Sequence, residues 1–198
     1  MSKGALYIIS GPSGTGKGTI CKELQKRKDI YLSVSMTSRN VRAGETPGVT
    51  YLYVTEEEFR ETAERGDMLE WAVYSGNCYG TPKKPVDEHI SKGMDVILEI
   101  EPQGALKVKE KMPEAVMIFV IPPSMEILKK RLADRGRETE EQIQERINAA
   151  KWEFSQAEKY NYIVVNDDLE ECVGEVLSIM DKVRADRERV AALAADQD

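Results

Sequence analysis

Histidine is almost absent from this 198-residue chain, cysteine is scarce, and basic residues do not outnumber acidic ones. The single histidine, His89, falls in a polar helical stretch over residues 86–92 and reads as a surface residue, so the sequence offers no His-based catalysis. Cys21, Cys78 and Cys172 are odd in number and irregularly spaced, which suits neither a disulfide framework nor a zinc site and leaves free thiols in a reducing cytoplasm. With 28 Lys and Arg against 35 Asp and Glu, the net charge of −7 repels DNA and anionic lipid at long range. Any anionic ligand must then be held locally by Arg, Lys and backbone amides in a pocket. The residues after Met1, Ser2 and Lys3 enter an apolar strand too short for a signal peptide or membrane span, so a cytoplasmic protein without membrane or nucleic-acid partners is expected. Repeats and low-complexity linkers are lacking as well, and the length fits one domain over residues 1–198.

What is present is 41% hydrophobic and 32% charged residues, the balance of a globular chain. Four apolar runs stand out: Leu6-Tyr7-Ile8-Ile9, Val96-Ile97-Leu98, Val116-Met117-Ile118-Phe119-Val120-Ile121 and Tyr162-Ile163-Val164-Val165. Continuous apolarity marks strands buried on both faces of a parallel sheet. Helix starts are signalled between them by Ser124, by Thr139 with Gln142, and by Asp168 with Glu171. Strands alternating with helices give an α/β sandwich. The tail from residue 183 reads as a frayed helix, and Trp71 and Trp152 as packing residues.

Residues 33–86 break this rhythm with short Tyr- and Thr-rich strands, Gly turns and one helix over 55–65 opened by a Thr55/Glu58 capping box. That pattern predicts a small insert that closes on a ligand. Residues 124–160 read as charged helices interrupted by Gly136.

Gly11-Pro12-Ser13-Gly14-Thr15-Gly16-Lys17-Gly18-Thr19 follows the first strand and opens a helix, which is the required context of a phosphate-binding P-loop. Glycines let amides converge on a β-phosphate, the helix N-terminus adds partial positive charge, and Lys17 reaches the β- and γ-phosphates. Gly18 replaces the hydroxyl residue that commonly binds Mg²⁺ here. Thr19 supplies a phosphate contact instead, with Mg²⁺ held mainly by phosphates and water.

The insert carries a second constellation of Ser35, Arg39, Arg42, Tyr51, Glu70, Tyr79 and Thr81. Taken singly, the arginines suit an ordinary surface, the tyrosines strand packing and Glu70 an outward strand position. Beside a P-loop they suit a second phosphate, which two guanidinium forks and a phenol bind directionally. Glu70, between Leu69 and Trp71, can accept the N1–H and exocyclic amine of guanine together, while the Ser35 and Thr81 hydroxyls reach O6. Adenine offers neither the paired donors nor that acceptor.

Ser33-Val34-Ser35, Thr37-Ser38-Arg39, Arg42-Ala43-Gly44-Glu45, Leu69-Glu70-Trp71, Ser75-Gly76-Asn77 and Tyr79-Gly80-Thr81 closely resemble guanylate kinase, and the likeness continues through Gln103-Gly104, residues 119–123 and 131–136, and Val165-Asn166-Asp167. The resemblance implies ATP + GMP → ADP + GDP with Mg²⁺, extended to dGMP, with ATP and GMP as small-molecule partners and a homodimer left open. It implies a three-layer parallel-sheet P-loop core (1–32, 87–123 and 161–198), a mixed α/β GMP-binding insert (33–86) and a helical lid (124–160). It assigns the GMP phosphate to Arg39, Arg42, Tyr51 and Tyr79, and guanine to Ser35, Glu70 and Thr81. Glu99 and Glu101, where many members have Asp, fall at a strand end and are assigned to the GMP side or to the waters of Mg²⁺. Arg131, Arg135 and Arg146 become contacts to the triphosphate or transition state, Arg39 and Lys17 complete the catalytic set, and Asn166 belongs to the adenine side. Non-catalytic modules of this kind commonly have a degraded nucleotide loop, whereas Lys17 and its loop are intact here.

Overall fold

The computed structural model describes residues 3–74, 76–134 and 139–195. Five strands, β1 (Leu6–Ser10), β2 (Ile30–Leu32), β7 (Asp95–Glu99), β8 (Val116–Ile121) and β9 (Tyr162–Val165), form a parallel sheet in the order β2-β7-β1-β8-β9. Every residue of β1 is buried, because successive side chains enter opposite layers. Tyr7 and Ile9 pack with Ile20 and Leu24 of α1 (Lys17–Leu24) and with Val176 and Met180 of α7 (Leu169–Ala195). Leu6 and Ile8 face the other way, toward Val86 of α3 (Lys83–Ser91) and Ala105 and Val108 of α4 (Pro102–Lys111). Those two clusters make the three-layer α/β sandwich expected from the apolar runs.

A second, four-stranded sheet is built from residues 36–82, in the order β4-β3-β6-β5. Its strands are β3 (Met36–Thr37), β4 (Leu52–Tyr53), β5 (Met68–Tyr74) and β6 (Asn77–Pro82). The helix α2 (Glu56–Glu64) covers it through Phe59, which packs with Met68 and Cys78 in a small core of its own. Thr55 and Glu58 close the anticipated capping box. A further cluster of Leu128, Leu132 and Ala150 joins α5 (Met125–Ala133) to α6 (Glu140–Ser155), whose starts are capped by Ser124 and by Thr139 with Gln142.

Some readings of single residues change. Trp152 is 52% exposed and lies on the solvent side of α6, so it is not a packing residue, whereas Trp71, though 38% exposed, does pack, meeting the buried Phe59 edge-on at 6.2 Å. His89 is half-buried, its ring stacked on Tyr31 at 3.6 Å between centroids. The stretch after residue 183 continues α7 without a break to Ala195, and Arg184 anchors it by bonding the buried Asp95 (2.7 Å) and Asp29 (2.7 Å). No described helix is long and apolar enough to cross a membrane.

Candidate active site

β1 delivers the chain to the glycine loop at the C-terminal edge of the sheet, where open α/β folds bind ligands. Gly11, Gly14 and Gly16 take φ values of 139°, 92° and 94°, which turn the loop backbone in ways an L side chain resists. Lys17 opens α1 and is only 7% exposed; its ammonium donates to the carbonyls of Gly11 (2.5 Å) and Pro12 (3.0 Å) and lies 3.7 Å from Glu101. A cavity of about 290 Å³ is lined by Ser13, Lys17, Thr19, Lys22, Glu99 and Glu101, joining loop and strand-end carboxylates in one space. Asn166, buried after β9, donates from Nδ2 to Thr15 O at 2.7 Å and so braces the loop from behind.

Glu99 ends β7 and Glu101 is the N-cap residue of α4. The surroundings of Glu99 displace enough water to push its carboxyl above the usual range, with Glu101 adding to the rise and Lys17 opposing it. Lys22, which also lines this cavity, acts on Glu99 in the same direction as Lys17, so two ammonium groups face the two carboxylates.

Two of the residues anticipated for a base face each other across neighbouring strands, and the third lies at the start of the next. Glu70 on β5 is paired with Thr81 on β6, and Thr81 Oγ1 donates to Glu70 Oε1 at 2.8 Å. Met36 pairs with Gly80, and Ser35 immediately precedes β3, its carbonyl accepting from the Leu52 amide of β4 at 2.8 Å. Glu70 is 7% exposed, and burial pushes its carboxyl up, opposed by the Thr81 hydrogen bond and by Lys107 and Lys111. An acid in that setting is a recognition group rather than a surface charge.

Two residues along from there, on the same side of the sheet, the phosphate candidates gather. Thr37 pairs with Tyr79, whose ring meets Tyr51 edge-on at 6.1 Å, and the Arg39 guanidinium lies over the Tyr51 ring at 5.1 Å. Arg39 is 8% exposed and forks onto Glu45, Nη2 to Oε1 at 2.5 Å and Nη1 to Oε2 at 2.7 Å. Glu45 also accepts from the Arg42 amide (2.8 Å) and Tyr53 OH (2.7 Å). Arg39 thereby holds the Glu45 carboxyl down at about 2. The Arg42 side chain is exposed beside them.

From the helical segment, Arg146 of α6 reaches the loop, donating to Ser13 Oγ at 2.5 Å. Arg131 of α5 has a buried Nη1 without a hydrogen-bond partner among the described residues. Arg135 lies outside the described residues. Glu153 of α6 is pushed up to about 7 by burial, with Glu101 adding and Lys17 and Arg146 opposing.

Several of these groups escape sequence reasoning. Glu45 appears there only as part of a motif, although a carboxylate six residues after a phosphate-type arginine is a signal for an orienting partner. Glu153, Lys107 and Lys111 look like members of solvated charged helices and carry no local mark.

Among the described residues no cluster of three or more His, Cys, Asp and Glu has metal-holding geometry. The family model for guanylate kinase matches residues 3–183. A guanylate kinase of Clostridium tetani is 50% identical over 189 residues, covering 94% of this chain and 91% of that protein. One of Caldanaerobacter subterraneus subsp. tengcongensis is 50% identical over 190 residues, covering 94% and 92%. The crystal structure of guanylate kinase from Anaplasma phagocytophilum superposes with a TM-score of 0.75 at 35% identity, covering 91% of this chain and 86% of that one.

Proposed function

The chain belongs to the guanylate kinase family and is an enzyme that phosphorylates GMP to GDP with ATP, and we propose that its glycine loop, second sheet and paired helices divide that work among donor site, acceptor site and lid. The observation that supports this division most directly is the pair Glu70–Thr81, a buried carboxylate bonded to a hydroxyl on the sheet that carries Tyr79, with Ser35 and Arg39 flanking β3.

In this reading the loop amides, Thr19 and Lys17 hold the β- and γ-phosphates of ATP, and Asn166 borders the adenine. Arg39, Arg42, Tyr51 and Tyr79 take the phosphate of GMP, with Glu45 fixing the Arg39 fork before the ligand arrives. Glu70 accepts from N1–H and the exocyclic amine of guanine. Because the Thr81 hydrogen is given to Glu70, the donor to O6 is Ser35, and Thr81 aligns the carboxylate. None of these groups addresses the 2′-hydroxyl, so dGMP is accepted as well.

An oxygen of the GMP phosphate attacks the γ-phosphorus, the bond from γ-phosphorus to the β,γ-bridging oxygen breaks, and ADP leaves with that electron pair. Charge develops on the transferred oxygens, so closing cations matter more than a base. Lys17 and Arg146 already converge on the loop, and Arg131 brings a buried donor, Nη1, without a partner among the described residues. Glu99 and Glu101, two carboxylates lining the cavity beside the glycine loop, would hold Mg²⁺ there as acceptors from its waters. Bound there with ATP, Mg²⁺ supplies charge neutralisation on the β- and γ-phosphates. The insert, residues 33–86, and the lid, residues 124–160, close over the ligands and exclude water, so transfer outruns hydrolysis.

The test is ADP formation from ATP and Mg²⁺ with and without GMP. Release that depends on GMP, and that falls at least about 10²-fold in Lys17→Ala, supports the scheme. ATP hydrolysis without GMP at a rate near that of transfer overturns the gating.

A further inference from the structure

β5 is the edge strand of the second sheet, so one row of its backbone groups has no strand partner. Two lysines of α4 occupy part of that row. Lys111 Nζ donates to Leu69 O at 2.6 Å and also reaches Met68 O at 3.4 Å, and Lys107 Nζ donates to Trp71 O at 3.0 Å. Leu69 and Trp71 are the chain neighbours of Glu70, so the two bonds bracket it. One turn earlier on the same helix face, Gly104 leaves room for the carboxylate; a Cβ there would stand 3.0 Å from Glu70 Oε2. α4 is itself fixed to the main sheet through Ala105 and Val108, which are fully buried against β1 and β8 residues.

Resting on the assignment of Glu70 as the guanine reader, we propose that Lys107 and Lys111 are positioning residues for base recognition, clasping the β5 backbone on either side of Glu70 and so fixing its carboxylate relative to the core that carries the glycine loop. The clasp joins the acceptor site to the donor site through one rigid helix. It also sets the charge that Glu70 experiences. From β6 the neutral Thr81 faces it; from α4 come Lys107 and Lys111, while Glu110 lines the same cavity, together with the neutral Gln103. Burial favours the protonated acid, the lysines favour the carboxylate, and only the carboxylate accepts both guanine donors. Replacing both ammonium groups moves the protonation of Glu70 toward neutral pH, so GMP affinity suffers most on the acid side.

The experiment is steady-state kinetics from pH 6 to 9 on the full chain carrying Lys107→Met with Lys111→Met, the matched pair Lys107→Arg with Lys111→Arg, and Glu70→Gln. We expect KM for GMP to rise in the Met pair most strongly at the acid end of the range, up to about tenfold for each pK unit by which Glu70 moves, and the loss to shrink as pH rises. KM for ATP stays within about twofold, and the Arg pair recovers most of the GMP affinity because a guanidinium keeps both charge and donors. An unchanged KM for GMP and an unshifted pH profile, in a background where Glu70→Gln has lost discrimination for GMP, overturns the clasp. Equal losses for GMP and ATP at every pH overturn it too, since they mark a general structural role. Retained GMP preference in Glu70→Gln instead overturns the underlying assignment of Glu70. The single Met variants, each keeping one clasp, carry the same readouts if the Met pair does not fold.

Discussion

Asn166 and Gly16 compete for one volume: a Cβ built on Gly16 would lie 2.3 Å from Asn166 Nδ2, the atom that donates to Thr15 O at 2.7 Å. The loop can pass under Asn166 only because position 16, at φ 94°, has no side chain. Gly16→Ala therefore expels Asn166 and strains the turn. We expect kcat/KM for ATP to fall at least about 10²-fold while GMP binding, measured by calorimetry, changes less than about twofold. Equal loss on both sides would show that the loop defect spreads through the fold.

Glu45 orients Arg39, and its role is separable from direct contact with substrate. Glu45→Gln keeps one acceptor oxygen for Tyr53 but removes the charge and the second oxygen of the fork onto Arg39. KM for GMP should rise roughly tenfold, with little change for ATP. Since the Glu45 pKa is depressed to about 2, the ion pair is complete above the unfolded-state value near 4.3 and is lost only as pH falls toward 2. The defect of the variant should accordingly be constant from pH 5 to 9.

How much of this could be read beforehand follows the range of the interactions. The loop from Gly11 to Thr19 and the strands around it are local: apolar runs and a contiguous motif fix them, and the structure has both where the residues indicated. Ser35, Thr81 and Glu70 were legible as residue types, but the pairing of Glu70 with Thr81 depends on a strand register that no local pattern states. Lys107 and Lys111 were illegible because a lysine reaching a backbone carbonyl 36 or 42 residues away looks, in sequence, like any solvated helical charge. Trp152 misled in the opposite sense, since a large aromatic suggests a core and here faces solvent.

Glu153 gives a pH signature. Its pKa is raised to about 7, so between about pH 4.3 and 7 the folded state binds the proton that the unfolded state releases, and stability falls as pH rises through that window. Glu153→Gln abolishes this slope. Thermal melts from pH 4.5 to 8 should show the variant gaining on wild type as pH rises and levelling above about pH 7. A constant difference across that range would contradict the assignment.

Arg184 ties the last helix to the sheet. It bonds Asp95, which is 3% exposed and also accepts from the Ala5 amide at 2.9 Å, and it joins Asp29, whose carboxyl is held far down first by Arg27 and then by Arg184. Arg184→Ala leaves the buried Asp95 without its cation. The expected cost is about 2 kcal/mol, or about 4–8 °C in Tm at pH 7, with kcat unaffected at 25 °C. Because Asp29 is depressed in the folded state, the stability it contributes is full above the unfolded-state value near 4 and fades in acid, so the difference between the two proteins should narrow toward pH 3.

The measurement that bears most directly on the whole reading is the ratio of kcat/KM for GMP to that for AMP in the wild type and in Glu70→Ala, by ADP formation with ATP and Mg²⁺. We expect a preference on the order of 10⁴ in the wild type, as sites built around paired hydrogen bonds achieve, and its collapse by at least about 10²-fold in the variant. An equal ratio in both proteins, or a wild type that prefers AMP, would contradict the assignment of Glu70 and with it the arrangement of the acceptor site.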